Sequence, residues 1–127
     1  MRKTTEQYRA AAAWEQVYEV KEDSIGDFST AADGAASLIQ KVGFGQAVAF
    51  WLAKGGKNEY LVKYLAQWLL KSSNSNTRDK EKRGNDLMQE LFKKSSTEYR
   101  ALTNEALTYL NWLKRFAKGR KKDIKKG

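Results

Sequence analysis

The stretch from Tyr99 to Gly119, YRALTNEALTYLNWLKRFAKG, decides the fold class because its apolar residues follow a helical period. Projected at about 100° per residue from Ala106 onward, these residues cover an arc of roughly 220°. A surface helix needs an apolar stripe only a little wider than about 100°. This helix is therefore central in its own domain or half-buried against a partner. Its remaining narrow face carries Asn111, Lys114, Arg115 and Lys118.

The rest of the chain also has helical periodicity, and it contains no proline. We expect helices at about 4–21, 29–42, 44–54 and 58–71, a short helix from Asn85, and a turn at Ser95 that leads into the final helix near Thr103. Residues 44–54 are apolar on nearly every side, which predicts a central helix that packs against the final one. No alternating pattern indicates a strand. The sequence predicts an all-α fold, a compact bundle of about five to six helices with its four tryptophans in the core.

The length of 127 residues predicts one domain. We assign residues 1–118 to a single helical domain, with a mobile polar loop at about 72–84, and residues 119–127 to a basic flexible tail. No apolar run approaches the ~18 residues of a membrane span, and the N-terminus does not resemble a signal peptide. We therefore expect a cytoplasmic protein.

The net charge of +9 is confined to the second half of the chain. Residues 1–63 hold eight basic and eight acidic residues, whereas residues 64–127 hold sixteen and seven. Such asymmetry points to a polyanionic partner, which is nucleic acid or an anionic membrane surface. A solubilising tail is the alternative for the terminal lysines.

The sequence gives little support to catalysis. It contains neither cysteine nor histidine, so it lacks the commonest nucleophile–base pairs and metal ligands. Asp86 and Glu90 could form an i,i+4 carboxylate pair, and Glu15, Glu19 and Glu22 could line another face. Because lysine and arginine surround them, solvated helix faces are the better interpretation. We expect no enzyme activity, no cofactor and no metal.

Two segments carry a resemblance to a known family. Residues 37–55 (SLIQKVGFGQAVAFWLAKG) contain a Leu-Ile pair, a glycine turn, a QAVAF helix and a Lys-Gly end. Residues 99–119 contain a YRALTNEAL start and a WLKRFA end. Both blocks resemble, in order and spacing, those of the small subunit of the type III-B CRISPR effector, the Cmr complex. Together they cover about a third of the chain.

The resemblance implies a fold and a role. The resemblance implies a compact, all-helical subunit whose copies stack head to tail. The stacked copies form a minor filament beside the backbone subunits that hold the CRISPR RNA. The resemblance also implies a subunit without nuclease activity, whose basic face lines the channel for guide and target RNA. The implied partners are the crRNA and target RNA, the other Cmr subunits and further copies of this chain.

Eight basic residues are the candidates for sequence-independent phosphate contacts. They are Lys41, Lys54, Lys57, Lys114, Arg115 and Lys118, with Arg120 and Lys121 in the tail. Trp112 is the one tryptophan with basic neighbours in sequence that could suit base stacking. The alternative function is a peripheral membrane or partner-helix binding protein that uses the basic amphipathic C-terminal helix.

Overall fold

The fold is built from α-helices joined by short connections. The computed structural model describes residues 4–70 and 84–126, and the regular structure within these ranges is helical throughout. A single 3-10 turn, Glu22–Ser24, follows the first helix. The α-helices are α1 (Thr5–Glu19), α2 (Ile25–Val42), α3 (Phe44–Lys54), α4 (Lys57–Leu69), α5 (Gly84–Lys93) and α6 (Ser96–Lys126). The all-α prediction is confirmed.

Local capping signals fix where α1 and α6 begin. The Thr4 hydroxyl accepts from the backbone N–H of Gln7 at 3.1 Å, and the Gln7 side chain accepts from the N–H of Thr4 at 2.7 Å. Ser95 and Glu98 form the same reciprocal pair at 3.2 and 2.9 Å. Both predicted capping boxes therefore form. The second one starts α6 itself, so the final helix begins seven residues before Thr103.

Glycines make the turns between α2, α3 and α4. Gly43 has φ of 92° and separates α2 from α3, while Gly55 and Gly56 have φ of 64° and 58° between α3 and α4. Residues with a Cβ rarely adopt this left-handed region, so these positions favour glycine. The three helices consequently follow one another with minimal connections, and α2 packs against both α3 and α4.

The core forms where α6 packs on α1 and α2, with α4 as the next layer. Side chains on one face of α6 are fully buried, and Tyr109 stacks on Trp68 of α4 with ring centroids 4.9 Å apart. A polar link crosses this core: Tyr109 donates to Gln16 Oε1 at 2.5 Å, and Gln16 donates to the carbonyl of Tyr64 at 3.2 Å. Buried α6 residues are Ala106, Tyr109, Leu110, Leu113 and Ala117.

The prediction that α3 is a central helix packed against α6 is wrong. α3 packs on α2, α4 and α5, whereas α6 packs mainly on α1 and α2. Neighbours cover only one side of α3, so Phe50 remains 46% exposed and Leu52 36% exposed. Trp14 of α1, predicted in the core, is 51% exposed because it lies at the edge of the helix's apolar stripe.

The boundaries predicted near the C-terminal end also change. Residues 119–126 are helical and continue α6 rather than forming a separate tail. The chain contains no helix breaker there except Gly119, and Ile124 still packs against the core. Most of the polar segment 72–84 lies outside the described residues, and its last residue, Gly84, begins α5.

Candidate nucleic-acid interface

A basic edge forms where α6 lies against α2. Lys114 and Lys118 are one helical turn apart, and their Nζ atoms lie 3.5 and 3.4 Å from the same oxygen of Asp33. The charge and hydrogen bond of Lys118, with a smaller effect of Lys114, hold the pKa of Asp33 below its usual value. The carboxylate therefore stays ionised, but it offsets only one of the two ammonium charges.

An open groove runs beside this basic edge. It has a volume of about 440 Å³ and lies between α2 and α6. Arg115 is exposed and the Lys114 side chain is partly exposed, so both cations can reach a ligand in the groove. Among the lining residues are Ala36 and Gln40 from α2 and Asn111, Trp112, Lys114 and Arg115 from α6.

Lys54 and Lys57 flank the glycine turn between α3 and α4. The Lys54 ammonium lies 5.9 Å from the ring centroid of Phe50, and Lys57 Nζ lies 3.7 Å from Asp27 of α2. The structure brings Lys57 to the start of α2, and Lys54 lies three residues earlier at the end of α3. Lys41, at the other end of α2, is fourteen residues beyond Asp27 and so about 21 Å further along the helix axis. It therefore does not join the Lys54–Lys57 pair.

Arg120 makes a contact within the protein that the sequence did not predict. Its guanidinium donates to the carbonyl oxygens of Val17 and Val20 at 2.6 and 2.5 Å, and it lies 5.2 Å from the ring centroid of Tyr18. These carbonyls belong to the last turn of α1 and to its C-cap residue, and the Val17 carbonyl also accepts from the N–H of Val20 at 3.3 Å. Both bonds come from Nη1, so one nitrogen of the Arg120 guanidinium caps the end of α1. No local signal in the sequence indicates this contact.

Lys121 lies on the helical continuation of α6 rather than in a tail. Together with Lys118, Lys122 and Lys125 it lines a shallow depression on one side of the helix. Lys122 and Lys125 were not among our predicted contacts. Lys122 follows Lys118 by four residues and Lys125 follows Lys122 by three, which is a helical spacing that the sequence already shows. These lysines were missed because the predicted helix ended before them.

Trp112 also belongs to an aromatic cluster on the flank of α6 that faces α1. Its ring centroid lies 5.5 Å from that of Phe116, which meets Trp14 of α1 edge-on at 5.1 Å. Trp14 in turn lies 4.5 Å from Tyr18. Trp14 and Tyr18 are about half exposed, whereas Trp112 is more buried. The sequence predicted Trp14 in the core, and it did not predict that this aromatic cluster is partly exposed on the protein surface.

The acidic residues do not assemble a catalytic or metal centre in residues 4–70 and 84–126. No group of three or more acidic side chains there could hold a metal ion. Glu90 lies 3.7 Å from Lys93 and 3.5 Å from Lys94, so its charge is already paired on its own helix. The paired-carboxylate interpretation therefore has no geometric support.

Comparison with known proteins identifies the family of the chain. Residues 5–120 match the model of a family described as CRISPR-associated protein (Cas_Cmr5). The chain belongs to the Cmr5 family. It is also similar to the crystal structure of a CRISPR-associated Cmr5 family protein from Thermus thermophilus, with a TM-score of 0.77 and 27% identity over 92% of this chain and 97% of that one.

Membership of the Cmr5 family confirms the resemblance that the two sequence blocks carried. It supports the prediction that the chain is a subunit of the type III-B CRISPR Cmr complex, in a family of small structural subunits. Within the described part of the chain, none of the helices has the length and apolar character needed to cross a bilayer.

Proposed function

We propose that this Cmr5-family chain is a non-catalytic structural subunit of the cytoplasmic type III-B ribonucleoprotein and contacts crRNA or target RNA through a basic face. The observation that carries the proposal is the cluster of Lys114, Arg115 and Lys118 beside the α2–α6 groove. The cluster lies within the segment that matches the family. Lysine and arginine bind phosphates without contacting the bases, so this face suits the backbone of an RNA of any sequence.

The other predicted contacts take secondary places in this proposal. Lys54 and Lys57 form a second basic point at the turn between α3 and α4, and Lys41 forms a third at the far end of α2. Because these basic residues lie at separate places on one chain, a continuous binding surface for RNA would require several copies side by side. Arg120 is left out, since its Nη1 donates to two backbone carbonyls at the end of α1.

Head-to-tail stacking of copies in a minor filament is the second part of the proposal. Such stacking needs two different patches on one monomer. The first is the exposed side of α3 with Phe50 and Leu52, and the second is the aromatic flank of α1 with Trp14 and Tyr18. α3 packs on α2, α4 and α5, while α1 packs on α6, so the two patches occupy separate helices of the bundle.

The non-catalytic assignment rests on composition and geometry together. The chain has no histidine or cysteine, and the acidic pair Asp86–Glu90 includes a carboxylate engaged by two lysines. The membrane-binding alternative loses its main support because the apolar face of α6 is buried against α1 and α2. An interfacial helix has to present that face to lipid.

RNA binding by the assembled complex tests the first part. Charge reversal with Lys114→Glu and Arg115→Glu should reduce target RNA binding and flatten its dependence on salt. Asp33→Asn should strengthen binding, because it releases both lysines from their shared carboxylate. Glu90→Gln is the matched control, since Glu90 also pairs with two lysines but lies on α5, outside the basic face. Unchanged binding in the charge-reversal variant would exclude this face as an RNA contact.

Native mass spectrometry of the reconstituted complex tests the stacking. Phe50→Glu with Leu52→Glu should lower the number of copies retained per complex, because charge is placed in a proposed contact. Phe92→Glu is the control, since Phe92 is 70% exposed on α5, outside both patches. Full retention of the double variant would show that α3 does not take part in stacking.

A further inference from the structure

The helical end of α6 carries a stripe of lysines that extends beyond the family match. The match ends at residue 120, whereas α6 continues to Lys126. Lys121, Lys122 and Lys125 lie in this continuation and line one depression together with Lys118. At about 100° per residue, Lys118, Lys121, Lys122 and Lys125 fall within roughly 100° of one another around the helix. The stripe formed by these four lysines is therefore about 10 Å long.

The opposite side of the same segment anchors it to the domain. Arg120 bonds the carbonyls that end α1, and Ile124, one turn later, packs against the core. These two residues share a face because they are four positions apart. The lysines of the stripe consequently have a fixed direction relative to the bundle.

The stripe has little compensating negative charge. Within the described ranges, the one ion pair of its members joins Lys118 to Asp33. Asp123 is exposed, but its position around the helix is roughly opposite to the stripe. Lys122 and Lys125 are exposed and Lys121 is half-buried. The result is a group of cations on one side of the helix, with Asp33 beside Lys118 as their one acidic partner within the described ranges.

We propose that this lysine stripe, Lys118, Lys121, Lys122 and Lys125, binds the phosphate backbone of a single RNA strand within one chain and extends the basic edge that begins at Lys114. The inference rests on the proposed function for its choice of RNA. Lysine acts as a point charge on phosphates and reads no sequence. The stripe offers no apolar anchor of the kind that dominates protein interfaces, which disfavours an acidic protein as the occupant.

The test uses the full chain and a fluorescein-labelled 20-nucleotide RNA of mixed sequence, with binding followed by anisotropy from 50 to 300 mM NaCl. One variant combines Lys121→Gln, Lys122→Gln and Lys125→Gln. A matched variant combines Lys41→Gln, Lys54→Gln and Lys57→Gln, which removes the same charge elsewhere. We expect the stripe variant to lower the salt slope by about 2 and to weaken binding up to about 100-fold at 100 mM salt. Circular dichroism checks that both variants stay helical.

Each outcome separates this inference from the proposed function. If the stripe variant binds like the wild type while the matched variant weakens, the stripe is excluded and RNA contacts the chain at Lys41, Lys54 or Lys57. Absence of wild-type binding at 50 mM salt also overturns the inference, because the stripe lies within one chain. The proposed function depends on several subunits and is then judged in the assembled complex. If vesicles of phosphatidylserine and phosphatidylcholine bind more tightly than RNA and the stripe variant abolishes that binding, the occupant is a membrane and the inference is wrong.

Discussion

The guanidinium of Arg120 donates to the carbonyl oxygen of Val17 at 2.6 Å and thereby joins the end of α1 to the last third of α6. A second bond reaches the carbonyl of Val20. The last carbonyls of a helix lack the regular intrahelical partners, and a charged donor satisfies them more strongly than a neutral one. This contact explains why α6 remains attached to the domain beyond the point where the sequence predicts a free tail.

Replacement of Arg120 should therefore affect stability more than RNA binding. We expect Arg120→Gln to lower the free energy of unfolding by about 1.5–3 kcal/mol, the range for hydrogen bonds to charged groups. Because both bonds come from Nη1 alone, Arg120→Lys, which keeps one charged nitrogen with three donors, should recover part of that stability. Urea denaturation measures both effects. Arg115→Gln is the control, because this exposed side chain should leave stability within about 0.5 kcal/mol of the wild type.

Removing the hydroxyl group from each of two buried tyrosines should have different effects on the stability of the fold. Tyr109 donates to Gln16, so Tyr109→Phe leaves a buried amide oxygen without its donor and should cost about 1–3 kcal/mol. The Tyr64 hydroxyl is buried and has no hydrogen-bond partner among residues 4–70 and 84–126. Tyr64→Phe should therefore be neutral or stabilising. Thermal and urea unfolding of the two single variants provide the comparison, and equal losses would contradict it.

The same tyrosines predict a loss of stability at high pH. Burial, with a further contribution from Glu19 for Tyr64 and Glu15 for Tyr109, raises the pKa of both hydroxyls above the ordinary value. The unfolded chain ionises near pH 10 while the folded chain keeps its protons, so this stability is present below about pH 10 and decreases above it. Each tyrosine can contribute up to about 1.4 kcal/mol per pH unit. Urea denaturation between pH 8 and 11 should show this fall, and Tyr64→Phe should reduce its slope.

Sequence reasoning succeeded for features encoded by neighbouring residues. The Thr4–Gln7 and Ser95–Glu98 boxes each involve groups three residues apart, so both helix starts could be read directly from the sequence. The bounds of α3 followed in the same way from the glycines at its two ends. Helical periodicity also identified which face of α6 is apolar, although it could not tell which helices cover that face.

The failures involve residues that are distant in sequence. Arg120 contacts residues 100 and 103 positions earlier, and no local pattern distinguishes it from the lysines that follow. The Asp33 carboxylate shared by Lys114 and Lys118 likewise depends on how α2 lies against α6. Trp14 shows a further limit, because periodicity places a residue on the apolar side of a helix without saying whether neighbours reach its edge. The sequence thus predicted some of the basic residues of the candidate site, but not the residues that they contact.

The two sequence blocks that resemble the family meet at a hydrogen bond between α3 and α6. The N–H of Gly45 donates to the hydroxyl of Tyr99 at 2.7 Å, which satisfies one of the free donors in the first turn of α3. A Cβ at position 45 would lie 3.1 Å from that hydroxyl oxygen, closer than an ordinary contact. This close approach explains why position 45 is a glycine. The hydrogen bond explains why position 99 carries a hydroxyl group, which accepts from the Gly45 N–H.

A double-mutant cycle should reveal this coupling. Alanine is favoured over glycine in a helix by about 1 kcal/mol, but in Gly45→Ala the contact with Tyr99 should cancel much of that gain. In the Tyr99→Phe background the hydroxyl is absent, so the same substitution should be more favourable by about 1 kcal/mol. Gly34→Ala in α2 is the control, because a Cβ there would meet nothing within 4 Å and should stabilise both backgrounds equally. Urea denaturation of the wild type and of these single and double variants gives the coupling energy, and a value near zero would show that the hydroxyl does not restrict position 45.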